Sequence, residues 1–278
     1  MDALRGPAAA GLGRSSGSPE GIRDTGPARS PARPAGARPG RLPLRPRREH
    51  RGHSPVRDRR NEARPRLPLR PPLRRGRVET LFLARHALAG SNQDGLASCS
   101  IPGLGLTHEG VDQAERLRST LASEAIELGI ASELRRTQET LELALAGREL
   151  PRIVVPELDE IRFGSFDGGL LSDYRAWAAR EPPNVSAPGG GESRAEAAAR
   201  FARGLRSVLE RPEPNVLLVG HALCLRYFLD GAQSLVPAPL MTPVEHAVPY
   251  RLTAEEARAA AALLEDWSQA PTFRPLVV

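Results

Sequence analysis

Leu81-Phe82-Leu83-Ala84-Arg85-His86-Ala87 and Val216-Leu217-Leu218-Val219-Gly220-His221-Ala222 decide how this chain is read. Each is a continuous apolar run that ends in a His. Short runs rich in Leu and Val read as strands buried on both faces. Such strands belong to parallel sheets covered by helices on both sides. Ligands of open α/β sheets bind beyond the carboxyl ends of the strands. Two His in matching positions at that edge therefore mark a candidate site. A helix follows His221, and its free N–H groups can face an anion.

Working outward from these runs, strands and helices alternate. Val78–Ala84 is the first strand. Thr107 caps a helix to about Ala122. Glu127–Ala131 is a short strand, Ser132–Ala146 a helix and Ile153–Val155 another strand. A loop-rich stretch from Pro156 to about Gly191 holds one short helix, Leu170–Ala179. Ser193 and Glu196 form a capping box that opens a helix to about Glu210. Val216–Val219 is a strand and His221–Asp230 a helix. Ala247–Leu252 is a strand, and Thr253 caps a final helix to Ser268. The alternation predicts an α/β fold with a mostly parallel sheet, and about 200 residues suffice for one such domain.

Residues 1–77 have a different character. They contain no Phe, Trp or Tyr and carry 20 Arg against 6 acidic residues, a formal charge of +14. The rest carries 19 Arg and 27 acidic residues, a charge of −8, and the chain has no Lys. The net +6 is thus an average of a basic tail and an acidic domain. With almost nothing to bury, residues 1–77 read as disordered. Two readings stay open: an Arg-rich arm for nucleic acid or another anionic surface, or a non-functional extension from a start site placed too far upstream. Residues 78–278 are the expected catalytic domain.

Cys99 and Cys224 make no disulfide framework and no paired metal-ligand spacing. No apolar run approaches the ~18–20 residues of a membrane span, and the N-terminus lacks the apolar core of a secretory signal. The expectation is a soluble, cytoplasmic protein without membrane association, monomeric or homodimeric.

Six motifs now line up in order. Arg85-His86-Ala87 is followed by Asn92. Gly105-Leu106-Thr107 is followed by Gly110, Gln113 and Ala114. Next come Ser132, Leu134, Arg136 and Thr140, then Leu158-Asp159-Glu160 with Phe163-Gly164 and Gly168. Gly190, Glu192 and Ser193 precede the long helix, and Gly220-His221-Ala222 closes the series. Together they resemble the histidine phosphatase superfamily, the phosphoglycerate-mutase-like enzymes, over residues 79–255. The resemblance implies a three-layer α/β/α sandwich and hydrolysis of a small phosphorylated metabolite through a phosphohistidine. A phosphoglycerate-mutase-type phosphotransferase and a catalytically silent phospho-ligand binder are the alternatives. The short catalytic region leans towards hydrolysis, and Glu160 argues against mere binding.

Phosphoryl transfer is mainly positioning and electrostatics, because negative charge spreads over the equatorial oxygens. Arg85 and Arg136 can each fork onto those oxygens, which a Lys cannot do. Neutral His86 has a nitrogen free to attack phosphorus. The covalent intermediate splits one hard step into two easier ones. His221 is expected to donate a hydrogen bond to phosphate, and Asn92 and Ala222 to add polar contacts. By resemblance Glu160 protonates the leaving alcohol and then activates water. No cofactor and no metal are implied. Nucleic acid is a partner only through the basic tail.

Other residues are weaker candidates. His108, His246, Glu245 and Cys224 read as surface or packing residues. Tyr174 and Trp177 line a substrate mouth or simply pack. Arg162 is a third anion contact or a surface charge. Gly164–Gly190 is expected over the pocket, with Arg175 and Arg180 among the groups that choose the substrate. Two Gly of the family pattern are Ala here, Ala87 and Ala222, and Leu88 and Ala89 replace a polar pair. Ala keeps a backbone N–H that can face phosphate but loses access to positive φ. From Val78 onward no Gly-x-Ser-x-Gly and no His/Asp ligand cluster occurs, which disfavours a serine hydrolase and a metallohydrolase.

Overall fold

The computed structural model describes residues 77–275. The expected tail, residues 1–77, lies outside them save for its last residue. The sheet has five strands in the order β3-β2-β4-β1-β5. Strands β1 (Thr80–Arg85) and β4 (Asn215–Gly220) pair in parallel, from Thr80 opposite Asn215 to Arg85 opposite Gly220. Strand β2 (Leu128–Ala131) is parallel to β4, and β3 (Arg152–Val154) is parallel to β2. Only β5 (Pro249–Thr253), on the edge beside β1, runs antiparallel.

Period-two alternation splits the strands between two cores. Leu81, Leu83, Leu128, Ile130, Val216 and Leu218 join one apolar cluster with residues of α5 (Arg194–Leu209), α6 (Ala222–Ala232) and α7 (Ala254–Gln269). Phe82, Ala84, Ala131, Leu217 and Val219 join the other with α2 (His108–Thr120) and α3 (Arg135–Ala144). Helices on both faces make the three-layer α/β/α sandwich, and burial on both faces is why the strand sequences lack alternation. The caps act as their sequences imply. Thr107 accepts from the Gly110 amide, and Ser193/Glu196 and Thr253/Glu256 both form capping boxes.

The differences have local causes. The helix expected from Ser132 begins only at Arg135. Ser132 is no cap for it, because its hydroxyl contacts Thr137 Oγ1 at 2.9 Å and His221 Nε2 at 2.8 Å. The last strand starts two residues late, at Pro249. Ala247 sits at φ +54° and its amide donates to the Arg85 carbonyl, so the chain there cannot be extended. A short helix α1 (Gly90–Gln93) and two 3₁₀ turns, Pro156–Leu158 and Gly164–Phe166, were not anticipated. Leu171–Ala178 forms α4. Among the described residues no helix is long and apolar enough to cross a membrane.

Candidate active site

The register of β1 on β4 builds the centre of the site. Arg85 lies opposite Gly220, and the His86 amide donates to the Gly220 carbonyl at 2.9 Å. The next residues, His86 and His221, therefore emerge side by side, with ring centroids 5.3 Å apart. Both rings are closed off from solvent, at 1% and 0% exposure.

Hydrogen bonds assign the tautomers. His86 Nδ1–H donates to the Ala87 carbonyl at 2.8 Å. Its Nε2 therefore carries a lone pair, which accepts from Arg136 Nε at 3.2 Å. His221 Nδ1 accepts from Arg136 Nη2 at 3.2 Å, so its proton is on Nε2, directed at Ser132 Oγ. Ser132 in turn donates to Thr137 Oγ1, and Thr137 donates to the Leu134 carbonyl at 2.7 Å. That chain has one self-consistent direction and runs from the imidazole to the backbone. As it stands, His221 presents an acceptor at Nδ1, whereas the sequence reading expects a donor.

Two guanidiniums flank the rings. Arg136, the second residue of α3, is 2% exposed and also donates from Nη2 to the Ser98 carbonyl at 2.9 Å. Arg85 Nη1 donates to the Val244 carbonyl at 2.9 Å. Arg85 Nε and Arg136 Nη1 are buried without a hydrogen-bond partner. Unsatisfied buried donors are rare; Arg85 and Arg136 both line one cavity, and a guanidinium's fork of donors suits a multivalent oxyanion. Burial above all, against the pull of Glu160, lowers the Arg85 pKa to about 10, so the side chain stays cationic at neutral pH. Burial, then the charges of Arg136, His221 and Arg85, hold His86 well below its ordinary value. Burial and the same two guanidiniums do likewise for His221.

Glu160 follows the first 3₁₀ turn. Its Oε1 accepts from the Ile161 amide at 3.1 Å, and its Oε2 lies 3.8 Å from His221 Nδ1. The side chain is 14% exposed. Burial raises its pKa, with Arg136, the Ile161 N–H, Arg85 and Arg200 pulling the other way. Arg85, Asn92, Arg136, Glu160 and Ala222 all line one cavity of about 230 Å³. Asn92 spends its Oδ1 on the Ala89 amide at 3.2 Å. Ala222 opens α6, with His221 at the N-cap. The rest of the wall is largely apolar, including Leu96, Ile161, Phe163, Tyr174, Leu223 and Val244, together with Arg175 and Arg194.

The weaker candidates sort clearly. Tyr174 lines the cavity, while Trp177 packs behind it against Phe166. Arg175 lines the cavity, but Arg180 points to the Ala176 carbonyl. Arg162 pairs with Glu192 at 3.2 Å and lies outside the cavity. His108 and Glu245 are exposed, and Cys224 is buried in the core. His246 is not the bystander it looked. Its Nδ1–H donates to the His86 carbonyl at 2.7 Å, and its ring is 5.4 Å from that of His86. The sequence held a signal for it, because His246-Ala247 is a third His-Ala dipeptide after His86-Ala87 and His221-Ala222.

The expectation for Ala87 needs correcting. Its amide does not face the site, since it donates to Thr140 Oγ1 at 2.9 Å. Thr140 also donates to the Arg136 carbonyl at 2.7 Å, so one hydroxyl joins the β1 end to α3. Among the described residues neither Ala87 nor Ala222 has positive φ. The exchange of Gly for Ala therefore brings no backbone strain here.

The sequence profile of the histidine phosphatase superfamily (branch 1) matches residues 81–267. An adenosylcobalamin/alpha-ribazole phosphatase of Escherichia coli is 36% identical over 107 residues, 38% of this chain and 51% of that protein. The protein of that name from Salmonella typhimurium is 30% identical over 175 residues, 58% of this chain and 79% of the relative. This chain thus spans about half the length of the first relative and four fifths of the second. The crystal structure of the alpha-ribazole phosphatase from Shigella flexneri superposes with a TM-score of 0.53 at 27% identity, over 62% of this chain and 89% of that one. The profile match begins inside β1 and ends inside α7, and by it the chain belongs to the histidine phosphatase superfamily.

Proposed function

We propose that this protein is a metal-independent phosphatase that hydrolyses a small phosphate monoester through a phosphohistidine on His86. One observation carries the reading: the lone pair of a neutral, buried His86 Nε2 faces the Arg136 guanidinium, and Arg136 and Arg85 both line one cavity and retain unpartnered buried nitrogens. The relatives' activity and the superfamily match support it.

The phosphate oxygens draw Arg85 and Arg136 into bidentate contacts. This releases His86 Nε2 from Arg136. The Nε2 lone pair then attacks phosphorus, and the ester P–O bond breaks. Glu160, in the protonated form that burial favours, passes its proton to the departing alkoxide. Its carboxylate next takes a proton from water, the hydroxide attacks phosphorus and the P–N bond breaks. Inorganic phosphate and neutral His86 result. The negative phosphate also offsets the charges that depress His221. Its Nδ1 then takes the proton of a monoanionic phosphate ester, donates to an equatorial oxygen while Ser132 keeps Nε2–H, and returns that proton to the product phosphate. Arg85 and Arg136 supply the charge neutralisation, which is why no metal enters the scheme.

For the substrate, the apolar wall beside Tyr174 and Phe163 supports an alcohol bearing a ring. The alpha-ribazole phosphatase names of the relatives point the same way. The test is turnover of an aryl phosphate and of an alkyl phosphate with chelator present. His86→Ala is expected to abolish turnover, and Glu160→Gln to lower kcat by roughly 10²–10⁴-fold. Quenching turnover of a phosphate-labelled ester in alkali traps an acid-labile, base-stable adduct on His86. Undiminished turnover in His86→Ala overturns the mechanism.

A further inference from the structure

Glu160 sits on a loop that has no ladder of its own, and its carboxyl is held by one bond from the neighbouring Ile161 amide. Its aim is therefore inherited from the backbone around it. That backbone is anchored to a side chain 40 residues further along the chain, Arg200, in the middle of α5. Arg200 Nη1 donates to the carbonyls of Glu157 at 3.0 Å and Asp159 at 2.9 Å. Its Nη2 donates to the Glu160 carbonyl at 3.2 Å. Nε and Nη2 also grip both carboxylate oxygens of Glu192, at 2.9 and 2.7 Å. A guanidinium has five N–H groups, and here each has an acceptor.

Glu192 completes the clamp from the other side. It is 2% exposed, its Oε2 accepts from the Arg162 amide at 3.0 Å, and its own amide donates to the Arg162 carbonyl at 2.8 Å. The chain is thus fixed at 157, 159 and 160 by Arg200 and at 162 by Glu192, immediately before and after the carboxylate. A buried ion pair is expensive to desolvate, and often gains no stability over apolar residues. One that spends three N–H groups on the backbone of a single loop is better explained by what that loop carries.

We infer that Arg200, buttressed by Glu192, is the positioning residue that sets Glu160 for proton transfer to the leaving group. The inference rests on the role of Glu160 proposed above. It predicts a defect that depends on the leaving group. A nitrophenolate departs without a proton, whereas an alkoxide needs one. The quantity to measure is kcat/KM, which ends at phosphoryl transfer to His86, for p-nitrophenyl phosphate and for an alkyl phosphate. The variants are Arg200→Lys, Glu192→Gln and Glu160→Gln in the full chain, each checked for folding by circular dichroism and melting. Lys keeps the charge but cannot reproduce five directed bonds.

Arg200→Lys is expected to lower kcat/KM about 10–100-fold for the alkyl ester and at most about threefold for the nitrophenyl ester, part of what a positioned acid supplies. Glu192→Gln should show the same preference more weakly, and decides the matter if Arg200→Lys does not fold. A loss that is equal for both esters, or no loss, overturns the inference and leaves Glu160 as the acid. A Glu160→Gln variant without leaving-group preference overturns the acid assignment and this inference with it.

Discussion

Ser132→Ala tests whether the tautomer of His221 matters to the chemistry. Ser132 is fully buried, and its Oγ stands 2.8 Å from His221 Nε2 and 3.3 Å from the Leu134 amide. Removing the hydroxyl leaves a buried imidazole N–H with no acceptor, which costs about 1–3 kcal/mol. For a domain of this size, 1 kcal/mol moves Tm by roughly 2–4 °C, so a fall of about 5 °C is expected. That part is structural and is shared by the free and the reacting enzyme.

The catalytic part is separate. Without Ser132 the His221 proton is no longer held on Nε2. The other tautomer turns Nδ1–H towards Arg136 Nη2, a donor against a donor 3.2 Å away. Arg136 must shift, and with it the group that contacts His86 Nε2. Losing one charge-assisted contact to the transferring phosphoryl group, worth about 1.5–3 kcal/mol, lowers kcat/KM by about 10–100-fold. Kinetics on an alkyl phosphate, with ¹⁵N spectra of the imidazoles to read the tautomer, measure both parts. A variant that loses about 5 °C of Tm yet keeps wild-type kcat/KM refutes the reasoning, because His221 then contributes only packing.

Two further outcomes follow from the electrostatics. In free enzyme the productive form has His86 neutral and Glu160 protonated. The lowered His86 pKa keeps the imidazole neutral as pH falls below its ordinary ~6.5. The raised Glu160 pKa keeps the acid protonated above its ordinary ~4.3. kcat/KM for an alkyl phosphate should therefore fall as pH rises through the Glu160 pKa, and Glu160→Gln should remove that basic limb; a limb that persists in the variant belongs to another group. Second, inorganic phosphate should raise Tm in a concentration-dependent way, by about 2.7 kcal/mol of stability at 100 times its Kd. Arg136→Ala should abolish most of that rise, and a full shift in the variant would show that the unpartnered guanidinium nitrogens are not the anion site.

Much of this site is visible in one dimension. The apolar runs before His86 and His221 announce strands buried on both faces, and parallel pairing of two such strands brings their terminal His together whatever else the fold does. Capping boxes at Ser193 and Thr253 are local, so they too are legible. Ser132, Thr140, His246 and Arg200 are a different kind of residue. Each acts through long-range hydrogen bonds: Ser132 to His221, Thr140 to the Ala87 amide, His246 to the His86 carbonyl, and Arg200 to three carbonyls of the loop of Glu160. Those contacts exist because the sheet order is β3-β2-β4-β1-β5 rather than sequential. The end of β2 meets the end of β4, and the segment before β5 folds over the end of β1. Nothing in the local composition around a Ser, a Thr or an Arg encodes such a neighbour, and for His246 the repeated His-Ala dipeptide is a signal without a partner attached.

The same contacts explain how two buried imidazoles, a half-buried third and two guanidiniums coexist. Each ring has one nitrogen pinned as a donor: His86 Nδ1 by the Ala87 carbonyl, His221 Nε2 by Ser132 and His246 Nδ1 by the His86 carbonyl. Fixed neutral tautomers can sit beside Arg85 and Arg136, whereas imidazoliums would be repelled by them. The positive charge of the site is thereby concentrated on the two Arg, which keep it at neutral pH, and His86 keeps the lone pair that the proposed mechanism uses. Had position 136 been a Lys, its single nitrogen could not have met His86, His221 and Ser98 together. Arg136 holds all three and still keeps both N–H groups of Nη1 unpaired. The sequence could name Arg136 as an expected phosphate ligand but could not show these contacts; under the proposed function, the Arg136 Nη1 left over and the Arg85 Nε are the donors a phosphate would meet.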